Sequence, residues 1–470
     1  MNIRPTNRVV WLVIPLVPVA MMCGLMLLTG GPDQVDPATR GAKAPVMKKF
    51  SLSDPRSWDE STVWLGDGLD SLMDWKYNPW RRESDYPGER LEKLRQSDRP
   101  EDREEYERLM QQGREWHERI LARYPELADK QDREMSREEN GYRQWTELVK
   151  RVRDEQGDSM FSTKISWDME GSLRRGTPLD AKETKAWVDS NRARIDEIRA
   201  IGLLPGQSAA GVTDSDREGS SGFSWQATDA LMLDVSASMA DGDSTRALES
   251  IRALNGLADH QSNIGPATMS NLLVAERMRL QMQSHVMAHI FPTLPEDQRA
   301  AWQEALNPTL QQPADFADAL RGEWNLSMRH NLLPLLSDDK DPGTPRDGDH
   351  LAEAYTRHMQ GLAQEADGMT LRDYAGSFQE TAPVTSLSKQ SNYLAQDMGM
   401  TTEYDVRRSF VVYQEQTGLT QAAFAIMNGQ EIPLDPVYGL PYKWDPVKRE
   451  LRLPDPPGGR KWRIRPMKVP

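Results

Sequence analysis

The sequence predicts a mainly α-helical chain: an N-terminal transmembrane helix, a helical-hairpin stack or irregular bundle, and a small C-terminal β-hairpin. Three observations predict it. Residues 9–28 carry no charge, apolar residues recur at spacings of three and four through most of 99–430, and the spacing changes to two beyond about residue 430. A chain of 470 residues is long enough for two or three domains. Its 58 basic and 72 acidic side chains give a net charge of −14, which repels nucleic acid, and no basic patch relieves it. A charged fraction of 28% and a mean hydropathy of −0.70 exclude a polytopic membrane protein. The lone cysteine, Cys23, excludes an internal disulfide and a multi-thiolate metal site.

Residues 9–28 read VVWLVIPLVPVAMMCGLMLL. At about 1.5 Å of rise per residue they span roughly 30 Å, the thickness of a bilayer's hydrocarbon core. Pro15 and Pro18 are tolerated in a membrane span better than in a soluble helix. The run exceeds the apolar region of a cleaved signal peptide, and no small-x-small cleavage site follows Leu28. A lipid anchor on Cys23 is disfavoured because Met22 stands where a small residue is expected. With Arg4 and Arg8 on the cytoplasmic side, residues 1–29 form a tip and anchor and the bulk of the chain is extracytoplasmic.

Residues 30–98 combine a Gly/Pro-rich linker with an aromatic patch at Trp58, Trp64, Trp75, Tyr77 and Trp80. Residues 99–205 form a charged helical region. Two narrow apolar stripes, Tyr106–Leu109–Trp116–Ile120 and Tyr142–Trp145–Leu148–Val152, predict a helical hairpin or stalk. Thr177, Pro178 and Asp180 predict a helix start, and that helix stops near Gly202 and Pro205. Residues 206–224 are a polar Gly/Ser-rich loop and a domain boundary. Residues 225–430 form a helical body with helices over about 226–239, 243–260, 266–291, 313–336, 350–366 and 384–417. In the tail, 431–470, Tyr442 and Trp444 alternate against Leu451 and Leu453 across the turn DPVKR, and Trp462 and Ile464 extend a third strand. The tail is expected to pack on Phe410, Val411 and Tyr413.

The segments WVDSNRARIDEIRAIGLLPG, MADGDSTRALESIRALNGLADH and FADALRGEWNLSMRHNLLPLL, with Asp435-Pro436-Val437-Tyr438-Gly439-Leu440-Pro441-Tyr442, carry a resemblance. The chain resembles uncharacterised single-span bacterial envelope proteins with an α-helical body and a C-terminal DPxxGxPxxY-like element leading into a hairpin. Tyr442 falls one place early for that pattern. The resemblance covers about half the chain and implies architecture and location, with no activity attached.

Two constellations are candidates for chemistry. Asp234, Ser236 and Ser238 in LMLDVSASM match the D-x-S-x-S metal motif of von Willebrand factor A-type domains, whose hard oxygen donors suit a divalent cation. Thr309 and Asp338 stand where such a domain supplies further ligands. That fold needs a buried strand after its first helix, whereas Leu272, Ala275, Met278, Met282 and Val286 repeat at helical spacing. Asp234 is therefore expected on a helix that ends near Met239. His285 and His289 share a helix face and can hold zinc, with His260 or Glu276 as a third ligand. Val286 occupies the place of the zincin glutamate.

The expected function is a membrane-tethered helical scaffold or protein-interaction protein of the bacterial cell envelope. It contacts the membrane through residues 9–28 and takes a protein partner, without cofactor, nucleic acid or an evident catalytic residue. A metal-dependent adhesion module built on Asp234, Ser236 and Ser238 is one alternative. An envelope hydrolase with an unrecognised carboxylate or histidine site is the other.

Overall fold

The computed structural model describes residues 89–469 apart from 131, 176, 213–220, 309, 342–343, 378–390, 392–402 and 456–465. The predicted membrane span and aromatic patch lie outside the described residues, as do Thr309, Trp462 and Ile464. Among the described residues no helix is long and apolar enough to cross a membrane.

The chain is mainly helical. In order come α1 (Glu89–Gln96), α2 (Pro100–Arg123), α3 (Gly141–Gln156), α4 (Trp167–Arg175), α5 (Ala181–Ser190), α6 (Arg192–Gly202), α7 (Ser221–Ala240), α8 (Ser244–Ser262) and α9 (Met269–His285). A π-helical turn, Val286–Ile290, extends α9. There follow α10 (Arg299–Ala305), α11 (Pro313–Leu326) with its own π-turn Ser327–Leu332, α12 (Leu333–Leu336), α13 (Gly348–Asp367), α14 (Leu371–Gly376) and α15 (Glu403–Met427). Three short strands close the chain: β1 (Lys443–Asp445), β2 (Glu450–Arg452) and β3 (Met467–Lys468).

Two apolar cores organise these elements. The first joins Trp145 and Val149 of α3, Ile195 and Ile198 of α6, Leu231 and Val235 of α7, and Ile251 and Leu254 of α8. Residues on both sides of the 206–224 loop thus share one core. The second gathers Leu109 and Ile120 of α2 with Trp324 of α11 and Tyr355 of α13. Helices α9 and α15 run through both: Leu272 and Phe410 belong to the second core, Met278 and Phe424 to the first.

Local chemistry sets the helix ends. Asp180, not Thr177, caps α5 by accepting the Glu183 N–H at 2.7 Å. Pro178 and Leu179 are thereby left outside the helix. The single helix expected over this stretch is divided at Asn191, which ends α5 with its Nδ2 donating to the Trp187 carbonyl at 2.9 Å, and α6 starts at the next residue. Helices α2 and α3 do not form the expected hairpin. Their stripes enter different cores, because Leu127 in the connection docks with the second core while Trp145 docks with the first.

The tail forms an antiparallel sheet of order β1-β2-β3, with Trp444 opposite Leu451. Its predicted turn is tied by Asp445 Oδ1, which accepts the N–H groups of Val447 and Lys448, both at 3.0 Å. The preceding DPVYGLP element is closed the same way: Asp435 Oδ1 accepts from Val437 at 2.7 Å and Tyr438 at 3.0 Å, and Gly439 takes φ +65°. The tail docks farther along α15 than expected. Leu451 and Tyr442 join Leu419, Ala422 and Phe424, while Val437 and Tyr438 reach the Phe410–Val411 end. Gly418 decides this, since a Cβ there would lie 2.4 Å from Pro436 Cδ and 2.4 Å from the Tyr442 hydroxyl.

Candidate functional site

The D-x-S-x-S residues lie inside α7, on no strand end. Two residues of helix turn through about 200°, so Asp234 and Ser236 face opposite ways. Asp234 is fully buried among α6, α7 and α8. Its Oδ1 accepts from Arg246 Nε at 2.9 Å and its Oδ2 from Ser250 Oγ at 2.6 Å. Arg192 and Arg199 stand 3.8 and 3.7 Å away, and Arg246 also binds Asp196 at 2.8 Å. The carboxylate that the motif offered to a cation is a hub for arginines. Ser238 is buried on the same helix, and Asp338 pairs with Arg90 at the edge of the second core, so these oxygen donors do not converge.

Ser236 instead meets α9. Its hydroxyl is 2.8 Å from His285 Nε2. The His285 and His289 rings are neighbours, with centroids 4.9 Å apart across the π-turn. Such turns often mark functional sites. The other two groups considered for zinc lie elsewhere. His260 Nε2 is 3.1 Å from the Ile201 carbonyl oxygen, and Glu276 is nine residues, two and a half turns, before His285. Among the described residues no group of three or more His, Cys, Asp or Glu is arranged to hold a metal ion.

Ser236 and His289 border a cleft of about 680 Å³. Pro178 and Leu179, the residues left out of α5, form one wall; Met239 and Ala240 at the end of α7 form another. Ile290, Thr293 and Gln298 close the far side. Among the described residues no Asp, Glu, Lys or Arg lines it. Burial pushes the His285 imidazole down to about 3, with His289 adding to the effect, and burial also lowers His289. Both rings are therefore uncharged at neutral pH. His285 Nδ1, His289 Nε2 and Gln298 Oε1 are shielded from solvent without a hydrogen-bond partner. A buried polar atom left so costs about 1–3 kcal/mol.

The Ser–His contact has the geometry of a nucleophile beside a base. Two features weaken that use. A base with a pKa near 3 is poorly matched to neutral pH, and no carboxylate accepts from His285 Nδ1 to orient the ring.

A second polar cluster carries no sequence signal beyond Glu276, which the sequence offers only as a metal ligand. Between α9 and α15, Arg279 lies 6.0 Å from the Tyr413 ring centroid and Gln283 Nε2 donates to Thr417 Oγ1 at 3.0 Å. Glu276 is enclosed beside them with neither carboxylate oxygen hydrogen-bonded. Burial raises its carboxyl to about 8, and Arg279 opposes the rise only in part. A raised folded-state pKa contributes stability that is fully present below the unfolded value of 4.5 and is lost as pH climbs through about 8. Glu276→Gln, neutral at every pH, is expected to flatten the decline in melting temperature between pH 5 and 9. Parallel pH profiles for parent and variant would refute that. His285 acts with the opposite sign, since its lowered pKa destabilises the fold as pH falls from 6.5 toward 3.

Fold and site together define a mainly helical protein with a small antiparallel sheet and a cleft at the α7–α9 junction. Comparison with family models, curated proteins and solved structures gives no match.

Proposed function

We propose that this chain is a membrane-tethered helical scaffold of the bacterial envelope that engages a protein partner, with residues 9–28 as the tether. The observation that carries the reading is the use made of the chemistry-bearing side chains. Asp234 clamps α6, α7 and α8 through Arg199, Arg246 and Ser250, and Asp338 holds Arg90, so the groups most suited to catalysis serve as ties within the frame. Trp167, at the start of α4, supports an interaction role: it is 77% exposed, and tryptophan is a frequent anchor of protein interfaces.

The test uses the full-length protein in envelopes, with a photoreactive phenylalanine at position 167. A discrete adduct, competed away by excess parent protein, and fractionation with membranes until residues 1–30 are deleted are expected. A mature N-terminus downstream of Leu28, or no adduct at 167, would overturn the reading.

One observation favours a second reading, acyl transfer: the 2.8 Å Ser236–His285 contact. A fluorophosphonate probe that labels the parent and spares Ser236→Ala would establish it. Absence of labelling in both would remove it.

A further inference from the structure

We infer that Arg279 is an exchangeable tie inside the fold: it holds Asp259 of α8 while Glu276 is uncharged, and turns back to Glu276 on its own helix when that carboxyl ionises. This does not depend on the scaffold reading, which rests on other residues. Placement comes first. Glu276 and Arg279 are 3% and 1% exposed, between Leu272 of the second core and Met282 of the first. Three residues apart on a helix, they share one face and stand within reach of each other. Arg279 Nη2 donates to Asp259, which joins α9 to the last turn of α8. Arg279 Nε and Nη1 donate to nothing, and neither Glu276 oxygen has a hydrogen-bond partner. The donors that a carboxylate at 276 needs therefore stand beside it. Tyr413 of α15 is within electrostatic reach of Arg279, Glu276 and Asp259, so the three groups are close together.

Solvent access sets the direction of the exchange. The Asp259 side chain is 44% exposed, so water takes over from a lost guanidinium at little cost. Glu276 is enclosed, and a carboxylate ionised there needs a charged partner. Burial keeps it protonated up to about pH 8, with Arg279 opposing. Beyond that point the guanidinium gains more from Glu276 than from Asp259. The charged groups of the surrounding helices are placed elsewhere. Arg277 of α9 lies over the Trp225 ring, and on α7 Asp229 accepts from Gln281 at 2.8 Å. On α8 His260 meets the Ile201 carbonyl, and on α11 Glu323 accepts from Ser327 at 3.3 Å. Glu415 of α15 is two residues from Tyr413, about 200° round the helix. The Gln283–Thr417 bond, one turn beyond Arg279, pins α9 to α15, so the exchange moves a side chain and not the helix.

A double-variant comparison on the full-length protein in detergent tests this, with melting temperature read at about pH 6 and about pH 9. Asp259→Asn keeps the shape of the side chain and removes the charge that Arg279 holds. In the parent background it should lower the melting temperature by about 2 °C at the lower pH, and by less than about half of that at the higher one, where Arg279 has left. Glu276→Gln cannot ionise, so in that background Asp259→Asn should cost the same at both pH values. An equal cost at both values in the parent, or the same decline with Glu276→Gln, overturns the exchange. Amide hydrogen exchange followed by mass spectrometry needs no change at Asp259. The last turn of α8 is closed by the Asn263 N–H on the Asp259 carbonyl, so peptides over 259–265 report on the tie. Their protection, after correction for the intrinsic rate, should fall about threefold from pH 7 to 9 in the parent and hold steady in Glu276→Gln. Steady protection in the parent overturns the proposal even where a variant misfolds.

Discussion

Replacing Asp234 with alanine is expected to destabilise the fold by about 3–5 kcal/mol, the usual effect of removing one partner from a buried charge network. Three arginines converge on this carboxylate, and the hydroxyl of fully buried Ser250 donates to it. Without it, Arg246 keeps only Asp196, and Ser250 loses its acceptor in the core. Asp234→Asn should lie between, since an amide oxygen can still take one of these bonds. The same melts separate the hub from a cation site. Mg²⁺ or Ca²⁺ should leave the melting temperature of parent and Asp234→Ala alike unchanged. A cation-dependent rise in the parent that is lost in the variant would restore the adhesion-module assignment.

Gly256→Ala should be comparably damaging. Helices α6 and α8 cross in backbone contact: a Cβ on Gly256 would lie 1.8 Å from the Gly202 carbonyl oxygen, and one on Gly202 would lie 2.2 Å from the Ala253 carbonyl oxygen. Nothing flexible is there to move, so the helices must separate, and a loss of about 3 kcal/mol, the upper part of the overpacking range, is expected. The contact also fixes how close Asp196 and Arg199 of α6 come to Arg246 and Asp234. The direction of the effect is diagnostic. Intrinsic helix propensity favours alanine over glycine by up to about 1 kcal/mol. Gly361, exposed inside α13 with open space around its Cβ position, should show that gain when changed to alanine. Chemical denaturation of the two variants measures both, and a stabilised Gly256→Ala would mean the crossing is looser than described.

These two predictions also mark where the sequence sufficed. The helices at 226–239, 243–260 and 350–366 appeared within a few residues of their observed positions, because a helix is written in the spacing of neighbours three and four apart. The hairpin about Asp445 was equally visible, since its turn is closed by bonds to Val447 and Lys448, two and three residues on. Asp234 reads as a helix residue for the same local reason.

Its partners were not visible. Arg246 and Ser250 lie 12 and 16 residues away, and nothing in a 28% charged chain singles them out. Gly202 reads as a helix stop, yet it also admits the backbone of α8. Pro178 reads as a first-turn proline, but capping by Asp180 leaves it in the wall of a cleft. The divergent fates of α2 and α3 likewise depended on which core each stripe met. The sequence by itself determined most of the helices and the hairpin, whose bonds close over a few residues. Only the tertiary structure decided which charges meet, where backbones touch and where the cleft opens, because those choices are made by packing between segments far apart in the chain.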